Sequence, residues 1–154
     1  GLIPGRLGED IDLDPGQRAA RFCAINLIAQ FKAACGGDLT AVKQVVKLGG
    51  FVNADPAFTD VPKVINGASD LIGEVFGEAG RHARAAVACP VLPRGAAVEI
   101  DAVAEAMLAA QACRQAIGSE DKTALADYLI PEATIFVHDR MDPAKCAGNT
   151  GQHP

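Results

Sequence analysis

Apolar residues recur at three- and four-residue steps through the first third of the chain. Ala20, Cys23, Ala24, Leu27, Ile28, Phe31 and Ala34 share one stripe of a helix. Asp14 followed by Pro15 predicts its start, with the carboxylate as N-cap and the proline at the first helical position, and Gly36-Gly37 predicts its end just after Cys35. The pattern then changes. Residues 39–53 carry Val42, Val45, Val46, Leu48, Phe51 and Val52, a β-rich run expected to form one buried strand. Gly49-Gly50 within it marks either a bulge or a close backbone approach. Asp60 is expected to cap a second helix whose apolar face is Val64, Ile65, Ala68, Leu71, Ile72, Val75 and Phe76, with Gly77 as its stop. Residues 83–91 and 96–103 read as strands on either side of the breaker cluster Leu92-Pro93-Arg94-Gly95, which predicts a β-hairpin. An extended segment, residues 1–12, leads into the first helix. In the tail, residues 105–117 and 121–129 read as helical and residues 133–138 as a strand. The order helix, strand, helix, strand, strand predicts an α+β fold with both helices on one face of a sheet.

The expected hairpin concentrates the candidate chemistry. Arg84 opens its first strand, while Val98, Ile100 and Ala102 alternate with Ala97, Glu99 and Asp101 on its second. If the two strands pair, Arg84 and Glu99 can approach one sheet face or edge. A guanidinium grips a carboxylate through two parallel hydrogen bonds, and a neighbouring glutamate can position or deprotonate a water. Spacing alone also allows the plainer arrangement, in which both are solvated surface charges or a structural ion pair.

Composition narrows the partners. A chain of 154 residues predicts one domain with a possible appendage, and 14 Lys+Arg against 19 Asp+Glu gives a net charge of -5. Nucleic acid is therefore a poor default partner. No run approaches the roughly 18 apolar residues of a membrane span and no signal peptide opens the sequence, so a cytoplasmic setting without membrane contact is expected. The five cysteines, Cys23, Cys35, Cys89, Cys113 and Cys146, have no CxxC spacing, which argues against zinc and against a complete disulfide framework. Cys89 lies in the hairpin, but as a nucleophile it would need a base, and His82 is seven residues back with no evident relay. His82, His138 and His153 are too scattered to suggest a metal site. His82 reads as a turn residue or a rim group.

Several motifs together resemble the RidA family, also called YjgF. They are Gly16-Gln-Arg-Ala-Ala-Arg-Phe-Cys-Ala-Ile-Asn-Leu-Ile-Ala, Val45-Val-Lys-Leu-Gly-Gly-Phe-Val-Asn, Pro62-Lys-Val-Ile-Asn-Gly-Ala-Ser-Asp-Leu, Phe76-Gly-Glu-Ala-Gly-Arg-His-Ala-Arg-Ala-Ala-Val, and Leu92-Pro with Val98-Glu-Ile. They stand in the family's order across residues 7–104. The resemblance implies a chorismate-mutase-like sheet with two helices on one face, assembled as a homotrimer with ligand clefts between subunits. It also implies that Arg84 binds a substrate carboxylate, that Asn66 lines the same cleft, and that Glu99 orients the hydrolytic water. The implied activity is hydrolysis of small reactive enamines or imines, such as 2-aminoacrylate, to a keto acid and ammonia, with no metal or organic cofactor. The alternative is a trimeric regulator that binds a small metabolite without turning it over. Ribonuclease activity, known among relatives, finds no support in the acidic charge or in a histidine pair.

Two departures from the family pattern matter. Ala86 stands where the deaminase branch often carries a cysteine, and the family's first hairpin has no counterpart before Gly1. Without that hairpin an exposed sheet edge and an incomplete cleft wall are expected. Residues 1–104 are accordingly read as the RidA-like domain and 105–154 as an accessory tail that could complete the sheet. Ala147-Gly-Asn-Thr-Gly-Gln-His-Pro would suit a circular permutation, and residues 109–139 weakly resemble the start of a SnoaL-like domain in a longer fusion.

Overall fold

The helix stripes and the β-rich runs condense into two layers. The computed structural model describes residues 2–107 and the backbone of residues 132–139. Helix α1 (Leu13–Ala34) and helix α2 (Val61–Phe76) lie against one face of a sheet built from β1 (Val42–Asn53), β2 (Ala83–Cys89), β3 (Val98–Met107) and β4 (Glu132–Asp139). This is the expected α+β arrangement. Strand order is β2-β1-β3-β4, with β1 parallel to β2 and antiparallel to β3, and β3 antiparallel to β4.

The expected hairpin does not form. β2 and β3 are consecutive in sequence, yet β1 lies between them and separates them by two strand spacings, about 10 Å. The reason is topological: parallel neighbours need a long crossover, and α2 supplies one between β1 and β2, forming a β-α-β unit. β3 then takes the free side of β1. The breaker cluster is a crossing rather than a tight turn, with Arg94 and Gly95 in succession in the left-handed region (φ 58° and 68°).

Core contacts come from the predicted stripes. Leu27 and Phe31 of α1, Ile65 and Ile72 of α2, and Leu48, Val52, Val98 and Ile100 of the sheet are fully buried. Each such side chain contributes about 1.5–3 kcal/mol through removal from water. Phe31 also meets Phe76 edge-on, with ring centroids 6.2 Å apart. Leu7 is fully buried as well, although its segment carries no periodic pattern. It is held by two-sided backbone pairing, Leu7 N–H to Asn53 O at 2.8 Å and Asp55 N–H to Leu7 O at 2.9 Å.

Element boundaries differ slightly from expectation. α1 begins at Leu13 with Asp12 at the N-cap, two residues ahead of the Asp14 reading, while Asp60 occupies the N-cap of α2 as expected; neither side chain makes a capping hydrogen bond. Residues 39–41 form a short 3-10 turn before β1. Gly49 and Gly50 pair in regular register, and the irregularities fall earlier, between Val42 and Gln44 and between Val45 and Lys47. Of the two roles open to the glycines, close approach is therefore the one used. A Cβ on Gly49 would lie 2.1 Å from Asp101 Oδ1, and one on Gly50 would lie 2.6 Å from Ile65. Strand β3 continues through Met107, into the stretch that reads as helical from Glu105. The remainder of that expected helix, the one at residues 121–129 and the 147–154 motif lie outside the described residues.

Candidate functional site

Asn66 and Ser69 are three residues apart on α2 and so project from one side of it. Strand β2 brings Arg84 to that side. Its register partner is Leu48, a buried residue, so Arg84 points toward the helix layer from an edge of the described sheet. Arg84 Nη1 donates to Asn66 Oδ1 at 2.8 Å and to Ser69 Oγ at 3.2 Å. Both acceptors are neutral, and no carboxylate among the described residues pairs with Arg84. The guanidinium is therefore held by two neutral oxygens, with no described carboxylate against it.

Ser69 also meets His82. The serine Oγ and His82 Nε2 are 3.0 Å apart, and His82 Nδ1 is 2.6 Å from Gly80 O. The turn that carries His82 is tightly placed. Gly80 is buried against α2, where a Cβ would lie 2.5 Å from Ile72 O, and Gln44 of β1 donates through Nε2 to Arg81 O. Asn66, Ser69 and His82 are all half-buried, while Arg84 is exposed. The site is thus an open rim above α2, lined by a cation, an amide, a hydroxyl and an imidazole.

The structure brings Arg84 and Asn66 together and leaves Glu99 apart. Glu99 is the register partner of Phe51, and within the regular part of β1 residues 48 and 51 face opposite sides. Arg84 lies on the helix side and Glu99 on the open side, with β1 between their strands. Pairing of Arg84 with Glu99 across a hairpin is corrected accordingly. The open side also carries Gly49, Phe51, Ala85, Val87, Asp101 and Val103. Ala86 shares Arg84's side and packs at the margin of the core.

Ser69 and His82 were not legible as partners. The available signal was the i, i+3 spacing of Asn66 and Ser69, which places both beside any residue that contacts one of them. A second concavity, about 360 Å³, lies between α1 and α2 and is lined by Asp14, Gln17, Arg18, Arg21, Gly67, Asp70 and Glu74. It is spanned by the Arg21–Glu74 ion pair at 3.1 Å and does not include Arg84. Among the described residues no three His, Cys, Asp or Glu side chains converge as a metal site, and no helix is long and apolar enough to cross a membrane.

Comparison with known proteins places this geometry in context. A family profile described as "YjgF/chorismate mutase-like, putative endoribonuclease" matches residues 1–106. Protein TCP17 of Trypanosoma cruzi is 55% identical over 106 residues, 68% of this chain and 66% of its own length. The crystal structure of protein Atu1372 from Agrobacterium tumefaciens, of unknown function, superimposes with a TM-score of 0.66 at 53% identity, over 66% of this chain and 65% of that one. A "putative endoribonuclease" from Shewanella oneidensis superimposes with a TM-score of 0.62 at 41% identity, over 64% of this chain and 65% of that one. The chain thus spans just under two thirds of the length of these relatives.

Proposed function

The chain belongs to the YjgF/chorismate mutase-like family, and from that premise we propose that it hydrolyses small reactive enamines or imines bearing a carboxylate, giving a keto acid and ammonia. The observation that carries this reading is the Arg84 guanidinium, oriented by the neutral oxygens of Asn66 and Ser69 and unpaired with any described carboxylate. A charge held that way recognises a small acid through charge-assisted hydrogen bonds. With the acid group fixed, the enamine tautomerises to an imine, whose electrophilic carbon takes up water. Orientation supplies most of the acceleration, because the reacting atoms need only be held in line.

The reading includes assembly as a homotrimer, with Asn66 lining the cleft. Glu99 would then orient the water from a neighbouring subunit, since in its own chain it occupies the opposite side of the sheet from Arg84. The open side, with Gly49, Ala85, Val87 and Val103, supports this by presenting small and apolar groups to a second copy. The test is the decay of 2-iminopropanoate: the protein is expected to accelerate it, and Arg84→Ala to abolish the acceleration. No acceleration with any amino-acid-derived imine would sink the reading.

The separation of Arg84 from Glu99 within one chain favours a second reading, carboxylate binding without turnover. Pyruvate binding that survives Glu99→Gln, with no turnover by the unsubstituted protein, selects it. The Shewanella relative's description as an endoribonuclease is not carried over, because a net charge of -5 opposes an RNA backbone.

A further inference from the structure

We propose that Ser69 and His82 form a proton relay opening on the Arg84 site, with Ser69 as the catalytic hydroxyl and His82 as the residue that positions it and stores its proton. The inference rests on the deaminase reading and assigns its proton acceptor within the same chain.

The direction of the relay follows from what each atom can donate. Gly80 O only accepts, so His82 Nδ1, 2.6 Å away, carries a proton. In neutral imidazole Nε2 is then a bare acceptor, and the Ser69 hydroxyl 3.0 Å away donates to it. Arg84 Nη1, 3.2 Å from Ser69 Oγ, donates to the serine oxygen. Every hydrogen bond along Arg84, Ser69, His82 and Gly80 thus runs the same way. One lone pair of Ser69 Oγ remains for a water at the rim, beside the carboxylate that Arg84 would hold. A backbone carbonyl fixes the tautomer, the part that a carboxylate plays in a Ser-His-Asp triad.

The chemistry balances without another reactant. As the water oxygen bonds to the carbon of the iminium and the C=N π pair returns to nitrogen, the water's proton passes to Ser69 Oγ and the serine's own proton to His82 Nε2. The products are a neutral carbinolamine and an imidazolium, whose Nδ1–H remains on Gly80 O. The imidazolium returns its proton through Ser69 to the amine nitrogen. The carbinolamine hydroxyl loses its proton to Ser69 and His82 as the C–N bond breaks, and the keto acid and ammonia form. The imidazolium then passes this proton through Ser69 to the ammonia, which departs as ammonium. His82 ends neutral, as it began.

The full-length chain tests this with kinetics and one spectrum. Ser69→Ala and His82→Gln are expected to lower kcat for 2-iminopropanoate about a hundredfold, the lower end of what a positioned acid or base contributes. In His82→Gln, KM and the affinity for pyruvate should stay within about twofold, because His82 bonds to Ser69 and Gly80 and leaves Arg84 and Asn66 in place. Ser69→Thr keeps the hydroxyl and is expected to recover most of the lost kcat. In ¹⁵N-labelled protein, His82 is expected as the Nδ1–H tautomer. A proton on Nε2, or in His82→Gln either equal losses of kcat and pyruvate affinity or an undiminished kcat, overturns the relay while leaving the deaminase reading in place. No turnover by the unsubstituted protein removes both.

Discussion

Arg84 owes its position to two neutral oxygens, and that neutrality can be tested directly. Arg84→Ala is expected to weaken pyruvate binding at least tenfold, about what a hydrogen bond to a charged group contributes. Asn66→Asp should weaken it as well, by placing a competing carboxylate 2.8 Å from Nη1. Isothermal titration checks both. A tighter-binding Asn66→Asp would show that the guanidinium is not the anion's partner. Arg84 and Asn66 were legible in the motifs that carry them, but the motifs contain no distance. Ser69 stands in the same motif as Asn66, but a helical serine ordinarily has only solvent or its own backbone for a partner, so the motif alone does not single it out. His82 reads as a turn residue or a rim group, and it lies in the connection just before β2; its two hydrogen bonds depend on how Gly80 packs against Ile72, which no local pattern records.

At the scale of elements, the layers followed from periodicity and the strand order did not. Alternation identifies which residues of a strand share a face, so Val98, Ile100 and Ala102 were correctly assigned to one side and Glu99 and Asp101 to the other. It does not say which strand lies beside which. A short breaker cluster reads as a hairpin, whereas the preceding strand-helix-strand order argues for a crossover, and the crossover prevails because α2 can bury Val64, Ile65 and Ala68 only by lying across the sheet. The close packing of α1 on α2 yields a stability prediction. A Cβ on Gly67 would lie 2.1 Å from Gln17 O, a backbone atom that cannot turn aside, so Gly67→Ala is expected to destabilise the fold by about 1–3 kcal/mol. Denaturant unfolding measures it, and an unchanged midpoint would mean that the two helices are more widely spaced.

The turn before β1 carries a pH dependence. Asp38 accepts from the Thr40 hydroxyl at 2.6 Å and from its backbone N–H at 2.9 Å, and these bonds, the side-chain one foremost, hold its carboxyl below the ordinary carboxylate range. A carboxylate whose folded pKa is lowered contributes stability above its unfolded pKa and loses it as pH falls through the folded value. Thr40→Val should therefore be less stable than the unsubstituted protein at neutral pH, and the difference should close in acid. Thermal melts at both pH values check this; a gap that stays constant would assign the effect to packing.

Among the described residues, α1 and α2 cover one side of the sheet, while the other side carries Val87, Val103, Phe51 and two carboxylates. Val87 is 46% exposed in the single chain. If this side joins copies, Val87→Arg should shift sedimentation from trimer toward monomer without unfolding the domain. A monomeric unsubstituted protein would remove the proposed contribution of Glu99. Assembly is the scale at which the sequence was least legible, since cross-subunit contacts leave no trace in the periodicity of one chain.

The central claim is that Arg84 fixes the carboxylate of a reactive imine for attack by water. Its most direct measurement follows 2-iminopropanoate, generated in situ, with the unsubstituted protein and with Arg84→Ala under identical conditions. Faster release of pyruvate and ammonia is expected with the first and the uncatalysed rate with the second. Equal rates in the two samples would contradict it.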